Sequence, residues 1–227
     1  MPVEVYPKAM AKAMAKAKGK GGMSAKEHVE ERTMTLGEFS ATYLTKSKSK
    51  SSSESIGIGY VAQHSLLEQI DSLGSDCMSA AEVSALLPTG SAVTTVNAWI
   101  GSEGTVTPLH YDTYENLFVQ LVGTKFVRLY DKCETGKLYV KEGGGKGGGG
   151  AGGQGNMSPV SVEDVDEGKY PKFKEAEYRE FYVRPGDALY IPEGCWHYIR
   201  SVGEGGEEKE EVGVGGGGFA ASVNYWF

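Results

Sequence analysis

Beyond residue 90 the chain is a succession of strand-forming runs. SAVTTVNAWIG (91–101), ENLFVQLVG followed by TKFVRLYD (115–131), EYREFYVRPG (177–186), DALYIPEGCWHYIRSV (187–202) and FAASVNYWF (219–227) are rich in Val, Ile, Tyr, Phe and Trp. Such residues suit a pleated, half-buried surface. Turn signals punctuate the runs, notably Gly123-Thr124 and Pro185-Gly186. Earlier segments read differently. TLGEFSATY (35–43) predicts a short capped helix, and in GYVAQHSLLEQI (59–70) the positions of Leu66, Leu67 and Ile70 suit a helix packing on a core. AAEVSALL (80–87) is a weaker helical candidate, and KSKSKSSSES (46–55) is a polar interruption. Many strands, short turns and a few early helices predict a mainly β, antiparallel sandwich or barrel. No fixed repeat is visible, which sets aside solenoids and propellers.

One stretch, TPLHYDTYENLFVQLVGTKFVRLY (107–130), carries an anomaly at its start. A strand points side chains at i and i+2 to the same face, so His110 and Asp112 share one. If that face is interior, an imidazole and a carboxylate sit where polar groups are costly unless bonded or coordinated. His197, in IPEGCWHYIRSV, supplies a partner 87 positions after His110 and on another predicted strand. Two imidazoles and one carboxylate on adjacent strands would make a facial triad that leaves three octahedral positions open, which suits iron(II). Taken singly, each of the three reads equally as a satisfied core residue.

Composition narrows the setting. With 227 residues, 40% hydrophobic and 10% aromatic, the chain 1–227 is expected to be a single domain. Much of the 33-residue glycine count lies in 143–155 and 203–218, which read as loops rather than chemistry. A net charge of −7 argues against nucleic-acid binding, which rests on lysine and arginine. No apolar run approaches the roughly 20 residues that span a bilayer, so no membrane partner is expected. Cys77, Cys133 and Cys195 are odd in number and lack CxxC spacing. A reducing, intracellular compartment follows, nucleus or cytoplasm. Residues 6–32 read as a low-complexity basic insertion, although Lys8, Lys12 and Lys16 at helical spacing keep an organelle presequence or basic anchor open.

NAWIGSEGTVTPLHYDTYENLFVQLVGTKFVRLY (97–130) and GDALYIPEGCWHYIRSV (186–202) together resemble the Jumonji C (JmjC) family of iron(II) and 2-oxoglutarate oxygenases. The nearest group within it is made of JmjC domains alone and includes arginyl hydroxylases that are also described as lysine demethylases. The similarity covers about 57–131 and 165–227 and reappears in PVEV (2–5) and MTLGEF (34–39). It implies a cupin-type double-stranded β-helix, or jelly roll, with a few flanking helices. It also implies metal ligands at His110, Asp112 and His197 and a 2-oxoglutarate-binding lysine at Lys125, fifteen positions after His110. An inward lysine needs a counter-anion, which the distal carboxylate of the cosubstrate would supply; without the triad, Lys125 reads as an exposed hairpin residue. Tyr60, Thr107 and Asn116 match positions that hydrogen-bond the same cosubstrate. Trp99 and Glu4 match residues lining a substrate pocket, where an aromatic face and a carboxylate suit a guanidinium. Trp99 reads equally as an ordinary core tryptophan.

The activity that the resemblance implies consumes 2-oxoglutarate and dioxygen at Fe(II), releases succinate and carbon dioxide, and hydroxylates a side chain of a protein or peptide. With no zinc-binding reader module in the sequence, arginyl hydroxylation is favoured over N-methyl-lysine demethylation. A non-catalytic cupin-like binding protein is the alternative outside enzymology. The sequence departs from the family in three places: it begins at MPVEV, where earlier strands and helices are usual; residues 6–32 have no counterpart; and the glycine loops are long. An unpaired sheet edge near the N-terminus is therefore expected.

Overall fold

A computed structural model describes residues 1–6, 29–45, 57–140, 154–202 and 218–227. The glycine tracts, the polar run 46–55 and the basic stretch with Lys8, Lys12 and Lys16 lie almost wholly outside the described residues. In chain order the elements are β1 (Pro2–Tyr6), β2 (Glu30–Thr33), α1 (Leu36–Phe39, continued by a wider π-helical turn to Leu44), β3 (Ile58–His64), α2 (Leu66–Gln69), α3 (Asp71–Ser75) and α4 (Ala80–Ser84). The strands β4 (Thr95–Ser102), β5 (Val106–Tyr111), β6 (Asn116–Val122), β7 (Thr124–Tyr130), β8 (Tyr178–Val183), β9 (Ala188–Ile191), β10 (Trp196–Val202) and β11 (Phe219–Trp226) follow. They form two antiparallel sheets, a larger one in the order β2-β1-β3-β4-β11-β6-β9 and a smaller one in the order β5-β10-β7-β8. This is the expected cupin-type jelly roll.

Two expectations are corrected. The first half of 59–70 is not helical: Ile58–His64 is a strand paired with both β1 and β4, and only Leu66–Gln69 turns into helix. Tyr6 belongs to β1 and Glu30–Arg32 to β2, which pair with each other, so both ends of the predicted insertion 6–32 are sheet. β1 itself is flanked by β2 and β3, and the edge of the large sheet at this end is β2. The helix starts, by contrast, follow their sequence signals. Thr35 with Glu38, and Ser79 with Glu82, form capping boxes in which side chain and backbone satisfy each other's end groups.

The period-2 alternation sorts side chains between two environments. On the small sheet, Leu109, Phe126, Tyr130, Trp196 and Tyr198 face outward into a cluster closed by Val160, Val162 and Phe173. Trp196 is fully buried and its indole N–H donates to Thr135 Oγ1 at 2.9 Å, so it anchors β10. Between the sheets, Phe118 and Ile191 of the large sheet meet Val127, Val183 and Ile199 of the small one. The outer face of the large sheet is apolar too, with Val3, Val61 and Ala98 under Phe39, and Val96, Val223 and Tyr225 beside Val83. The inner face of the large sheet departs from an ordinary core. Asn97, Asn116, Gln120, Ser222 and Asn224 are all buried there.

Candidate metal centre

His110 and His197 stand directly opposite each other on β5 and β10, with ring centroids 4.1 Å apart. Just past them the pairing of β5 and β10 slips by one residue, so the β5 stretch Pro108–Leu109 bulges. Proline has no N–H to give a ladder, and bulges are where sheets admit it. The bulge turns the Pro108 carbonyl toward His110, whose Nδ1 lies 2.8 Å from that oxygen. The Cys195 carbonyl meets His197 Nδ1 at 3.1 Å in the same i−2 relation. A carbonyl can only accept, so each Nδ1 carries the proton and each Nε2 presents a lone pair. Asp112, one residue beyond the end of β5, is pinned by the Gly194 amide donating to its carbonyl at 2.9 Å.

Those lone pairs and the carboxylate converge. His110 Nε2 is 3.8 Å from Asp112 Oδ1 and His197 Nε2 is 3.6 Å from Oδ2, too long for hydrogen bonds. One ligand atom from each of the three residues lies within 4.8 Å of the others, a spacing that a single divalent ion can bridge. Burial lowers the pKa of both imidazoles to about 4, assisted at His110 by the neighbouring His197, and burial raises that of Asp112. At neutral pH two uncharged imidazole nitrogens therefore face the Asp112 carboxylate at one point, an arrangement that a cation would bridge. The donor set of two imidazole nitrogens and one carboxylate oxygen, each ring oriented through its other nitrogen, is the one expected for a facial iron(II) site.

The same cavity holds Lys125, Tyr60, Thr107 and Trp99, together with Asn224, Phe118 and Ile199. Lys125 comes from β7 and is 1% exposed, yet it has no ion-pair partner among the described residues. Its ammonium donates to Ser222 Oγ at 2.7 Å and lies 5.4 Å from the Phe118 ring centre. Desolvation pulls its pKa down to about 7. Tyr60 and Thr107 share a 2.9 Å hydroxyl–hydroxyl hydrogen bond beside it, and burial pushes the Tyr60 phenol upward. Asn224 Oδ1 and Trp99 Nε1 are buried with no hydrogen-bond partner among the described residues. A buried cation, two hydroxyls and an indole N–H without an acceptor among the described residues fit an anionic diacid better than they fit each other.

Seven of the nine residues singled out from sequence thus meet in one cavity. The other two do not line it. Asn116 is 1% exposed on the same face of β6 as Phe118, stands opposite Trp226 in the ladder, and neither amide atom has a partner among the described residues. Glu4 is Tyr60's neighbour across the ladder, and its carboxylate takes the hydroxyl of Tyr6. Sequence reasoning missed Asn224 and Ser222. The available signal was their i, i+2 spacing in ASVNYW, which puts two polar groups on one face of an otherwise apolar strand.

Against known proteins, a family model described as a cupin-like domain matches residues 1–227. The chain is 39% identical over 173 residues to lysine-specific demethylase 8 of Xenopus tropicalis, covering 76% of this chain and 35% of that protein. It is 35% identical over 183 residues to lysine-specific demethylase 8 of Danio rerio, covering 78% and 40%. To lysine-specific demethylase JMJ30 of Arabidopsis thaliana it is 36% identical over 144 residues, covering 63% and 31%. The chain spans less than half the length of each of these relatives.

Proposed function

The chain belongs to the cupin-like JmjC family, and we propose on that footing that it is an iron(II)- and 2-oxoglutarate-dependent oxygenase acting on a protein side chain. The observation that carries the reading is the convergence of two imidazole nitrogens and a carboxylate beside a buried lysine that has no counter-anion among the described residues. His110, Asp112 and His197 would hold one face of the ion and leave the opposite face for exchangeable ligands. Lys125 would take the distal carboxylate of 2-oxoglutarate, with the Tyr60 and Thr107 hydroxyls as further donors. Phe118 and Ile199 supply the apolar wall that keeps water from the reacting atoms. Together with dioxygen, the bound ion and diacid supply the oxidising chemistry that inserts oxygen into a C–H bond while the diacid is lost as succinate and carbon dioxide.

Between the two side-chain chemistries, N-methyl-lysine demethylation has the better support, because the relatives are named for it. It is the same oxidation aimed at a methyl carbon and followed by loss of formaldehyde. The arginyl reading keeps Trp99, which lines the cavity, and loses the direct support of Glu4, which does not. Succinate release by the iron-loaded chain tests the oxygenase reading, and no release above the His197→Ala background would leave a binding protein in its place. A methyl-lysine peptide should then yield formaldehyde; an arginine peptide gaining one oxygen with no formaldehyde would reverse the choice.

A further inference from the structure

The buried ammonium of Lys125 has one hydrogen-bond partner in the described protein, Ser222 Oγ on β11, and Ser222 is itself 1% exposed. The hydroxyl accepts from the lysine, so its own hydrogen needs an acceptor in a place that water does not reach readily. Directly opposite Ser222 on β6 is Gln120, which is 0% exposed. Both hydrogens of the Gln120 amide are committed, to the carbonyls of Val122 at 2.7 Å and Gly123 at 2.9 Å. Its oxygen, Oε1, is buried without a partner among the described residues. The pairing itself depends on a bulge. The β6–β11 register slips between Ala221 and Ser222, so that Val122 opposes Ala221 and Gln120, rather than Leu121, opposes Ser222. Bulges next to functional sites re-aim side chains in this way.

We infer that Ser222, which faces Gln120 across the ladder, is a positioning residue for the cosubstrate: its lone pair takes one ammonium hydrogen, and the remaining two hydrogens of Lys125 are left for the distal carboxylate of a 2-oxo diacid. This rests on the oxygenase reading and adds to it what holds the lysine at the length of a five-carbon diacid. A lysine on a four-carbon stem has several rotamers. One fixed bond at its tip selects among them before the ligand arrives, which is where preorganisation contributes to affinity.

The test uses the Mn(II)-loaded full chain, which binds without turnover, and calorimetric titration with 2-oxoglutarate and with 2-oxopentanoate, which lacks the distal carboxylate. Ser222→Ala should weaken 2-oxoglutarate about tenfold, the effect of a hydrogen bond to a charged group, and leave 2-oxopentanoate and Mn(II) affinity unchanged. Ser222→Thr, which keeps the hydroxyl, should restore the parent value. Equal loss for both oxo acids, or equal 2-oxoglutarate affinity in Ser222→Ala and parent, overturns the assignment of Ser222 while the oxygenase reading stands. Failure of the parent chain to bind 2-oxoglutarate overturns both.

Discussion

Replacing Lys125 by methionine should make the protein more stable and less able to bind its cosubstrate, and the structure sets the size of both effects. The lysine is 1% exposed with no counter-charge among the described residues, and its pKa falls from 10.5 to about 7 through burial. At roughly 1.4 kcal/mol per pH unit, holding that charge inside costs on the order of 5 kcal/mol. Methionine has a similar stem and no charge. Losing the bond to Ser222 returns about 1–2 kcal/mol, leaving a net gain of roughly 3 kcal/mol, or about 6–12 °C in melting temperature for a chain of this size. The gain depends on pH with a definite sign. Because the folded value lies below the unfolded one, the unfolded chain binds the extra proton between about pH 7 and pH 10.5, and the parent gains stability as pH rises through that window. The advantage of Lys125→Met is therefore complete below about pH 7 and gone above pH 10.5. Melting curves of parent and variant at pH 6.5 and pH 10.5, without cosubstrate, measure it. Titration with 2-oxoglutarate should show a 10- to 100-fold loss, about 1.5–3 kcal/mol. A variant that melts no higher than the parent at pH 6.5, or whose advantage does not shrink with pH, would refute the account of a buried, uncompensated ammonium.

Alanine at His110, Asp112 or His197 should each abolish Mn(II) binding followed by electron paramagnetic resonance, since a three-ligand site has little left after losing one; full retention in any of them would remove that residue from the site. Gly123→Ala should destabilise the fold by about 2 kcal/mol or more in urea titration, because φ is +66° there and an added Cβ would run into the Phe219 carbonyl. Unchanged stability would mean that the bulge beside Gln120 tolerates rearrangement. Deleting residues 143–153 should leave melting temperature and succinate release nearly unaltered, as loop closure varies only logarithmically with length, and a collapse of turnover would give the segment a part in catalysis.

The strands after residue 90 and the triad were legible because their signals are local. Alternation puts His110 and Asp112 on one face, and a run such as WHYIRSV announces a buried strand around His197. The strand at 58–64 was not legible. Leu66, Leu67 and Ile70 have helical spacing, and that periodicity spread backwards over GYVAQH. In the structure Gln63, at φ +50°, breaks the segment, and Gly59 is needed because a side chain there would stand 2.5 Å from the Tyr43 ring. Ser222 and Gln120 escaped notice for another reason. That one is a buried acceptor for an ammonium and the other a buried oxygen without a partner are facts of register and solvent access, which one-dimensional pattern does not carry. The same holds for Glu4, whose partner Tyr6 decides where its carboxylate is spent.

The directly opposed histidines of β5 and β10 have a mechanical consequence as well. They are adjacent in space and 87 residues apart along the chain, so an ion held by both would act as a reversible cross-link closing a loop of that length, comparable in reach to a long-range disulfide. Such a link draws its stabilisation from the entropy it removes from the unfolded chain. It ties the pairing of β5 with β10 to the presence of metal, and lets the chain carry long insertions between its strands with little loss of thermodynamic footing. The iron would then be a strut of the fold, and chelation would lower the melting temperature even in a variant with no oxygenase activity left to lose.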